Sequence, residues 1–276
     1  MKIFVTGRRG FIAKNLIQRL EKEGHAIKSS SQGDPIVDLL TEFSPEIIIH
    51  LATEGTNPDK MMEGNILLTH TILEYCRTHP IKKLLVFGSS SEYGKKTHPL
   101  TEKDTLDPHT IYEGTKACSS LLAQSYAYTY KIPTVLIRPL SIYGPNEKSH
   151  RLMTRVFSNT LKCMNDAYHD WTYIDDFINA TVKIMMYDNK GDIFDSVNIG
   201  LGIQRSNHEV IQIAEKLMGR KIQYTPTEKA LGQGSDSFMW VCDPAHLITK
   251  YGFTPTITLE EGMRLHYEWF TAQETP

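Results

Sequence analysis

Apolar residues in the first half of the chain fall into short runs that alternate with helix-like patterns. Short apolar runs with polar or glycine flanks are typical of buried strands, and apolar positions three or four residues apart are typical of helices. The predicted strands are residues 3–5, 26–31, 36–37, 47–51, 84–87, 134–137 and 194–199. The predicted helices are residues 15–20, 61–78, 112–130, 152–163, 175–186, 206–218 and 259–270. This alternation predicts a parallel sheet whose strands are buried on both faces.

A glycine-containing turn with the spacing G-x-x-G-x-x-A directly follows the first predicted strand. Gly7 allows a tight turn, Gly10 allows the backbone to approach a pyrophosphate, and Ala13 allows the next helix to pack closely on the strand. Phosphates would lie at the N-terminus of that helix, where free N–H groups and the helix dipole favour negative charge. Strand, turn and helix in this order predict a dinucleotide-binding domain, although such a turn also occurs without a ligand.

We therefore predict an α/β fold in which a Rossmann-type, doubly wound parallel sheet carries a smaller C-terminal α/β lobe. Residues 1–163 form the predicted dinucleotide-binding domain, and residues 164–276 form the predicted substrate-binding lobe. Residues 175–200 are expected to return to the first domain, because Val197-Asn198-Ile199 continues the strand pattern of the main sheet.

Composition and charge are those of an ordinary globular protein. The 276 residues are 40% hydrophobic and 22% charged, and the formal net charge is −2, so neither nucleic acid nor a membrane is an expected partner. The four cysteines form no C-x-x-C pair and the eleven histidines lack metal-ligand spacing, so no metal site is predicted. Because the sequence contains neither an apolar run long enough to span a membrane nor a signal-peptide pattern, we expect a soluble cytoplasmic protein.

Tyr112 and Lys116 are the first candidate catalytic pair. They are four residues apart on a predicted helix, which puts them on one face, one turn apart. A nearby lysine charge favours the phenolate and is expected to lower the pKa of Tyr112, so that its hydroxyl can act as general acid or base. Two surface side chains at this spacing are the alternative.

Three serines, Ser89, Ser90 and Ser91, follow the strand predicted at residues 84–87. Ligands of open parallel sheets bind at the carboxyl ends of the strands. A serine there is placed to bond a substrate oxygen beside Tyr112, whereas a polar loop that only caps a helix is the alternative.

These features together resemble the extended short-chain dehydrogenase/reductase family, which contains nucleotide-sugar epimerases, dehydratases and ketoreductases. The resemblance covers nearly the whole chain. The segments that carry it are T-G-R-R-G-F-I at 6–12, H-L-A at 50–52, Asn65, the serines at 89–91, Tyr112 with Lys116, Arg138-Pro139, I-Y-G-P at 142–145, W-T-Y-I-D-D at 171–176 and N-I-G at 198–200.

The resemblance implies roles for particular residues. Tyr112 would be the catalytic acid or base, and Lys116 would hold the nicotinamide ribose and tune Tyr112. Ser89, four residues before Tyr93, occupies the family's Ser/Thr position, with Ser90 or Ser91 as the alternatives. The expected cofactor contacts are Gly7, Arg8, Arg9, Gly10, Phe11, Ile12, Ser31, Asp38, Leu39, Leu51, Ala52, Lys116 and Pro139, with Asp38 and Leu39 beside the adenine. The expected substrate contacts are Ser90, Ser91, Ser141, His150 and Arg151.

The substrate diphosphate is the part of the ligand that the sequence places least clearly. His150, Arg151 and Arg205 are candidates to meet it, and each is equally compatible with a surface charge. His169 stands where many relatives have an arginine before Asp170-Trp171, which argues against diphosphate binding at that position. Residues 161–170 lack the family's usual glycine-bearing hairpin, which predicts a more open pocket.

Dehydration is disfavoured by the residues that follow Ser89. The 4,6-dehydratases carry an Asp-Glu pair there, for proton removal and loss of water. In this chain Ser90 and Ser91 occupy those positions, and Glu92 lies one position too far along.

The cofactor is predicted from the end of the second strand. NAD-selective members carry an acid there, which binds the ribose 2′-hydroxyl. Residues 29–32 contain no carboxylate, whereas Arg8 and Arg9 in the glycine turn suit a 2′-phosphate, so NADP(H) is favoured over NAD(H). The alternative is NAD held by backbone contacts, with Asp34 brought to the ribose by a shifted loop.

The activity predicted from these residues is reduction of a 4-keto-6-deoxy nucleotide sugar by NADPH, with Tyr112 protonating the alkoxide and Ser89 bonding that oxygen. The alternative is a 4-epimerase that retains NAD, because the same residues serve both reactions. A non-catalytic, cofactor-sensing regulator is less expected, since such proteins usually lose the tyrosine or the lysine. The resemblance also implies a homodimer formed through the helices at 61–78 and 112–130.

Overall fold

The computed structural model describes residues 1–227 and 239–274, and it contains a six-stranded main sheet and two smaller sheets. The strands are β1 Lys2–Thr6, β2 Ala26–Ser30, β3 Ile47–His50, β4 Lys83–Phe87, β5 Thr134–Pro139, β6 Ser141–Tyr143, β7 Cys163–Met164, β8 Tyr168–Tyr173, β9 Phe194–Ile199, β10 Gln204–Ser206 and β11 Thr225–Pro226. The α-helices are α1 Phe11–Lys22, α2 Ile36–Phe43, α3 Pro58–Met61, α4 Leu68–Thr78, α5 Ile111–Tyr130, α6 Leu152–Phe157, α7 Ile174–Met186, α8 Asn207–Met218, α9 Ala245–Tyr251 and α10 Leu259–Glu274. A π-helical segment, Met62–Leu67, joins α3 to α4, and a 3₁₀ turn, Ser90–Tyr93, follows β4.

The main sheet is parallel throughout and has the strand order β2-β1-β3-β4-β5-β9. The predicted α/β fold with a Rossmann-type parallel sheet is therefore confirmed. The last strand, β9, comes from the second half of the chain and pairs with β5 over residues 134–139. The division into two lobes at residue 163 stays a prediction.

The two faces of the main sheet belong to separate hydrophobic clusters. Ile3 and Val5 point into one cluster with α1 and α7, whereas Phe4, between them, points into the other with α2 and α4. Alternate residues of a strand face opposite sides, so a run such as Ile47–His50 is buried at every position because helices cover both faces.

A three-stranded sheet of order β10-β8-β6 lies beside this core. β6 follows β5 directly, and its side chains Ile142 and Tyr143 pack in the same cluster as Trp171 of β8 and Met263 of α10. The cluster that contains α1 therefore continues without a break into the C-terminal half.

Two predicted elements differ from the structure. Residues 36–37, predicted as a strand, begin helix α2, because Ile36, Leu39, Leu40 and Phe43 at helical spacing pack on one face of the sheet. β1 already has β2 and β3 as neighbours, which leaves no place for an extra strand between them. The helix predicted at 152–163 ends at Phe157, and the left-handed backbone of Asn159 (φ 58°) turns the chain towards β7.

No helix in the described ranges is both long and apolar enough to cross a membrane.

Candidate active site

The carboxyl ends of β1 to β5 meet at one edge of the main sheet, and most of the predicted site residues lie in the segments that follow them. The glycine turn follows β1, Ser31 follows β2, and Leu51 follows β3. Ser89 follows β4, while Pro139 ends β5. Parallel packing thus gathers at one edge residues that are far apart in sequence.

The turn after β1 is packed tightly against the end of β3. Gly7 has a φ of +75°, and a Cβ atom built on it would lie 2.9 Å from the Cα of Ala52. The N–H of Gly10 donates to the carbonyl of Gly7 at 2.8 Å, and the N–H of Arg8 donates to the carbonyl of Ser30 at 3.0 Å. Only glycine combines this backbone conformation with this close approach.

The N-terminus of α1 fits the pyrophosphate of a dinucleotide. Its N-cap is Gly10, which provides no side-chain cap, and the first turn contains no acidic residue. The first N–H groups of a helix have no partner within the helix, so this uncapped end presents donors to an anion. The Arg8 and Arg9 side chains are exposed beside it.

His50, the last residue of β3, ties three segments together. Its Nδ1 lies 2.9 Å from Oγ1 of Thr6, and its Nε2 lies 2.9 Å from Oγ1 of Thr69. The Thr6 hydroxyl also accepts from the N–H of Ala52 at 2.9 Å. Burial, and then the charge of Lys116, lower the pKa of His50 to about 3, so the ring is neutral. In the sequence, the H-L-A motif at residues 50–52 was the signal for this connecting role of His50.

Asn65, in the π-helical segment, fixes the loop that follows β3. Its Oδ1 accepts from the N–H of Glu54 at 2.7 Å and from the Thr53 hydroxyl at 3.0 Å. Its Nδ2 donates to the carbonyl of Glu54 and to Oγ1 of Thr115, both at 2.9 Å. All the bonding groups of this amide are used, so the loop is held rigidly against α5 beside Lys116.

Lys116 is buried within the sheet edge. Its Nζ donates to the carbonyl of Phe87, at the end of β4, at 2.5 Å. Burial lowers its pKa, and the Glu92 carboxylate partly offsets that shift. The start of α5 is set by a capping box between Thr110 and Glu113, which fixes where the helix presents Lys116.

Tyr112 is half-buried one turn before Lys116. Its pKa is raised, because burial outweighs the hydrogen bond with Ser89 and the charge of Arg151, which lower it. The expectation that Lys116 lowers the Tyr112 pKa is wrong in this structure, since the Lys116 ammonium group faces the carbonyl of Phe87. Of the three serines, Ser89 is the one near enough to Tyr112 to affect its pKa.

The serine loop is a 3₁₀ turn with a capping box. The Ser89 hydroxyl accepts from the N–H of Ser91 at 3.2 Å, and the two hydroxyl oxygens lie 2.7 Å apart. Ser90 is buried, and Ser91 is half-buried. The loop therefore keeps the Ser89 side chain in one orientation.

Glu92 is a fully buried carboxylate beneath this loop. It accepts from the N–H of Ser89 at 2.7 Å, from the hydroxyl of Ser120 at 2.9 Å and from Nε of Arg138 at 2.8 Å. This role of Glu92 as the buried partner of Arg138 was not predicted from the sequence. The signals that could have indicated it are the N3 position of Glu92 in a capping box and the Arg138-Pro139 pair.

The buried pair extends to β9. Nη1 of Arg138 donates to the hydroxyl of Tyr93 at 3.2 Å, and that hydroxyl donates to Oδ1 of Asn198 at 2.9 Å. This chain of bonds joins the serine loop to the two last strands of the main sheet.

An acid does lie at the end of β2, although not at the expected position. Oδ2 of Asp34 accepts from the N–H of Ser31 at 2.7 Å, across a turn in which Gly33 has a φ of +89°. The hydroxyl of Ser31 is buried and has no partner among the described residues. The S-Q-G-D sequence was the available signal, because Asp and Gly close such turns. Asp38 is exposed in the first turn of α2.

The predicted substrate side is formed by β6, β8 and the loop after β6. Oγ of Ser141 lies 3.0 Å from Nδ1 of His169, and the His169 ring packs on Trp171 with centroids 4.7 Å apart. Burial, and then the charge of Arg151, lower the pKa of His169 to about 4. His150 and Arg151 are exposed on the loop.

Arg205 lies opposite His169 in the β10–β8 pair, but its guanidinium is engaged elsewhere. Nε lies 2.8 Å from Glu209, and Nη2 lies 2.5 Å from Glu260. No group of three or more metal-ligating side chains occurs in the described parts of the chain.

A model of the NAD dependent epimerase/dehydratase family matches residues 3–200. The chain belongs to this family. The resemblance to the extended short-chain dehydrogenases and the prediction of an NAD(P)-dependent nucleotide-sugar enzyme are confirmed.

Relatives cover the chain from end to end. A "Probable UDP-glucuronate 4-epimerase" of Rhizobium meliloti (strain 1021) is 26% identical, covering 98% of this chain and 97% of the relative. A dTDP-glucose 4,6-dehydratase of Haemophilus influenzae (strain ATCC 51907 / DSM 11121 / KW20 / Rd) is 23% identical, covering 98% of each chain.

Solved structures share the whole fold. MoeE5 in complex with UDP-glucose and NAD superposes with a TM-score of 0.90 at 22% identity, covering 100% of both chains. The UDP-glucuronic acid 4-epimerase from Bacillus cereus, in complex with UDP-glucuronic acid and NAD, superposes with a TM-score of 0.89 at 23% identity, covering 99% of this chain and 100% of that chain.

Two variants separate the effect of the close approach between Gly7 and Ala52 from the effect of the left-handed backbone at Gly7. Gly24 has nearly the same φ, +78°, but a Cβ there meets nothing within 4 Å. Gly24→Ala should cost about 1–2 kcal/mol of unfolding free energy, the cost of left-handed backbone alone. Gly7→Ala should cost more, because the methyl group collides with Ala52, and urea denaturation measures both. Equal losses would contradict the close approach.

The buried ion pair beneath the serine loop predicts a large loss in Arg138→Met. Removing the partner of a buried carboxylate typically costs about 3–5 kcal/mol, because Glu92 remains charged without compensation. Lys82→Met, which breaks the exposed pair with Glu46, is the control and should leave urea denaturation nearly unchanged. Glu92→Gln added to Arg138→Met should recover part of the loss. If the double variant is no more stable than Arg138→Met, the charge of Glu92 is not the cause.

Proposed function

We propose that this protein is an NAD-dependent 4-epimerase of a nucleoside-diphosphate sugar. The observation that carries the proposal is the position of Tyr112, near Ser89 and one helical turn before the buried Lys116. In this position Tyr112 could exchange a proton with a sugar hydroxyl while a neighbouring nicotinamide accepts hydride from the same carbon. Because relatives of this chain include 4-epimerases, we interpret this arrangement as the catalytic site of an epimerase.

Asp34 supports NAD as the cofactor. The sequence favoured NADP(H), because no carboxylate occurs at residues 29–32. The turn after β2 brings the Asp34 carboxylate back to the N–H of Ser31, where an acid suits two ribose hydroxyls and repels a 2′-phosphate. MoeE5 and the Bacillus cereus epimerase are NAD complexes, which agrees with this choice.

A bound nicotinamide would supply reversible hydride acceptance at C4 of the sugar. Oη of Tyr112 would take the proton of the 4-hydroxyl while C4 gives up its hydride, and the Ser89 hydroxyl would bond the oxygen that becomes a carbonyl. Lys116 would hold the ribose hydroxyls. After hydride returns to the other face of the keto sugar, Tyr112 would give the proton back to the resulting alkoxide.

Water loss is disfavoured at this site. Ser90 and Ser91 hold the positions of the dehydratase acids, and the carboxylate of Glu92 is fully engaged by the N–H of Ser89, Ser120 and Arg138. We therefore propose epimerisation without elimination, and we propose UDP-glucuronate and UDP-glucose, the ligands named for the relatives, as the first substrates to test.

A homodimer through α4 and α5 is also proposed. Leu67, directly before α4, is more than half exposed, and so are Ile111, Leu121 and Tyr128 of α5. A paired copy of the two helices would cover this apolar surface.

Turnover without added cofactor tests the proposed reaction. The purified protein should interconvert UDP-glucuronate with its 4-epimer, followed by chromatography, and release NAD on denaturation. Tyr112→Phe should lower kcat at least a hundredfold, because the proton acceptor is lost. Tyr130→Phe, at the exposed end of the same helix, is the matched control. Oxidation of NADPH by a 4-keto-6-deoxy nucleotide sugar, with no interconversion, would instead establish the reductase.

Asp34→Asn tests the cofactor assignment. The amide oxygen still accepts from the N–H of Ser31, so the turn is kept while the charge is removed. We expect binding of NADH to weaken roughly ten- to hundredfold, the loss of a charge-assisted hydrogen bond, and the preference over NADPH to shrink. Glu42→Gln, which removes an exposed carboxylate from helix α2, should leave the ratio unchanged. Fluorescence titration measures both, and an unchanged ratio in Asp34→Asn would refute the assignment.

A further inference from the structure

His50, the buried histidine that ends β3, lies between the turn after β1 and the helices that follow β3. We propose that its two ring nitrogens position different parts of the site. Nδ1 fixes the glycine turn for the cofactor, and Nε2 fixes the helix that presents Tyr112 and Lys116. His50 is thus a positioning residue, which acts through its neighbours. The inference rests on the proposed function for the roles of Tyr112 and Lys116.

The direction of each hydrogen bond around His50 follows from the partners of Thr69. The Thr69 hydroxyl donates its one proton to the carbonyl of Asn65 at 2.6 Å. Its oxygen lies 2.9 Å from Nε2 of His50 and accepts there, so Nε2 carries a proton. Burial lowers the pKa of His50 to about 3, so the ring is neutral and its Nδ1 is an acceptor. The hydroxyl of Thr6, 2.9 Å away, donates to Nδ1.

The Nδ1 end fixes the backbone of the predicted cofactor turn. While its proton is directed to His50, the Thr6 hydroxyl accepts from the N–H of Ala52 at 2.9 Å. The backbone N and Cα of Ala52 lie 3.0 Å and 2.9 Å from the place of a Cβ atom on Gly7. The bond from Thr6 to His50 therefore sets how closely the segment after β3 approaches Gly7, in the turn where the pyrophosphate is expected.

The Nε2 end reaches helix α5 through the π-helical segment. Asn65 lies in that segment, and its carbonyl accepts from the hydroxyls of Thr69 at 2.6 Å and Ser119 at 2.7 Å. Ser119 is a buried residue of α5. Because Nε2 of His50 donates to the Thr69 oxygen, the imidazole directs the Thr69 proton towards this carbonyl.

Asn65 contacts α5 on both sides of Lys116. Its Nδ2 donates to Oγ1 of Thr115 at 2.9 Å, and the Thr115 hydroxyl donates to the carbonyl of Tyr112 at 3.0 Å. Thr115 directly precedes Lys116, and Ser119 follows Lys116 by about one helical turn. The chain of bonds that begins at Nε2 therefore ends on the part of α5 that carries the proposed catalytic pair.

Two amide substitutions separate the two ends. Glutamine places an N–H near the position of Nε2 but no acceptor for Thr6, whereas asparagine places a carbonyl near Nδ1 but no donor for Thr69. His50→Gln should weaken NADH binding about tenfold and leave kcat for UDP-glucuronate nearly unchanged. His50→Asn should lower kcat at least tenfold, because α5 loses its positioning, and leave NADH affinity unchanged. Fluorescence titration measures the affinity, and chromatography measures turnover.

Thr69→Val breaks the same chain at its next member. It should reproduce the low kcat of His50→Asn with normal NADH affinity, and the double variant should be no slower, because both substitutions remove one connection. Thr181→Val is the matched control. The Thr181 hydroxyl is also buried and also bonds a carbonyl four residues back, that of Phe177 in α7, so both measurements should resemble wild type.

Hydrogen exchange followed by mass spectrometry gives a measurement that needs no turnover. In the NADH-bound protein, His50→Asn should raise exchange within residues 111–119, and His50→Gln within residues 6–13. The inference is overturned if the two variants change affinity and kcat together, if they change neither, or if exchange rises equally in both ranges. A wild-type protein that turns over no nucleotide sugar overturns the proposed function instead, and NADH affinity with hydrogen exchange then decides the inference.

Discussion

The buried contact between Glu92 and Arg138 is the constraint on which the rest of the site depends. A carboxylate with no exposed surface is stable only if its charge and its lone pairs are satisfied, and here Arg138, Ser120 and the N–H of Ser89 satisfy them. The same bonds fix the orientation of the Ser89 loop. The carboxylate of Glu92, which needs these partners because it is buried, thereby also positions the Ser89 hydroxyl proposed to act beside Tyr112.

Around the segments that follow β1 and β3, neutral hydrogen-bonding groups fix the loops as Glu92 fixes the serine loop. The amide of Asn65 satisfies the loop after β3 and reaches α5, and the neutral ring of His50 joins β1, β3 and α4. Neither group adds charge near Lys116, whose ammonium is already costly to bury. The site thus combines few charges with many satisfied dipoles, which suits the proposed reaction, in which a proton moves between Tyr112 and the substrate.

The charge proposed for cofactor recognition reaches its place through a turn. Asp34 returns to the end of β2 from three residues beyond Ser31, and its carboxylate accepts from the N–H of Ser31. The turn decides which residue arrives at the end of the strand, while the position of that end is set by the sheet.

The sequence by itself determined the features that depend on local periodicity. Alternating apolar runs fixed the parallel sheet, the glycine spacing fixed the turn after β1, and a separation of four residues put Tyr112 and Lys116 on one helix face. Prediction from the sequence failed where a short segment fits both a strand and a helix pattern, as at Ile36. It also failed where contacts join residues that are distant in the sequence. The direction of Glu92, the engagement of Arg205 and the return of Asp34 are decided by tertiary structure, because burial and pairing depend on which distant or turned segments come together, and a local pattern does not encode that.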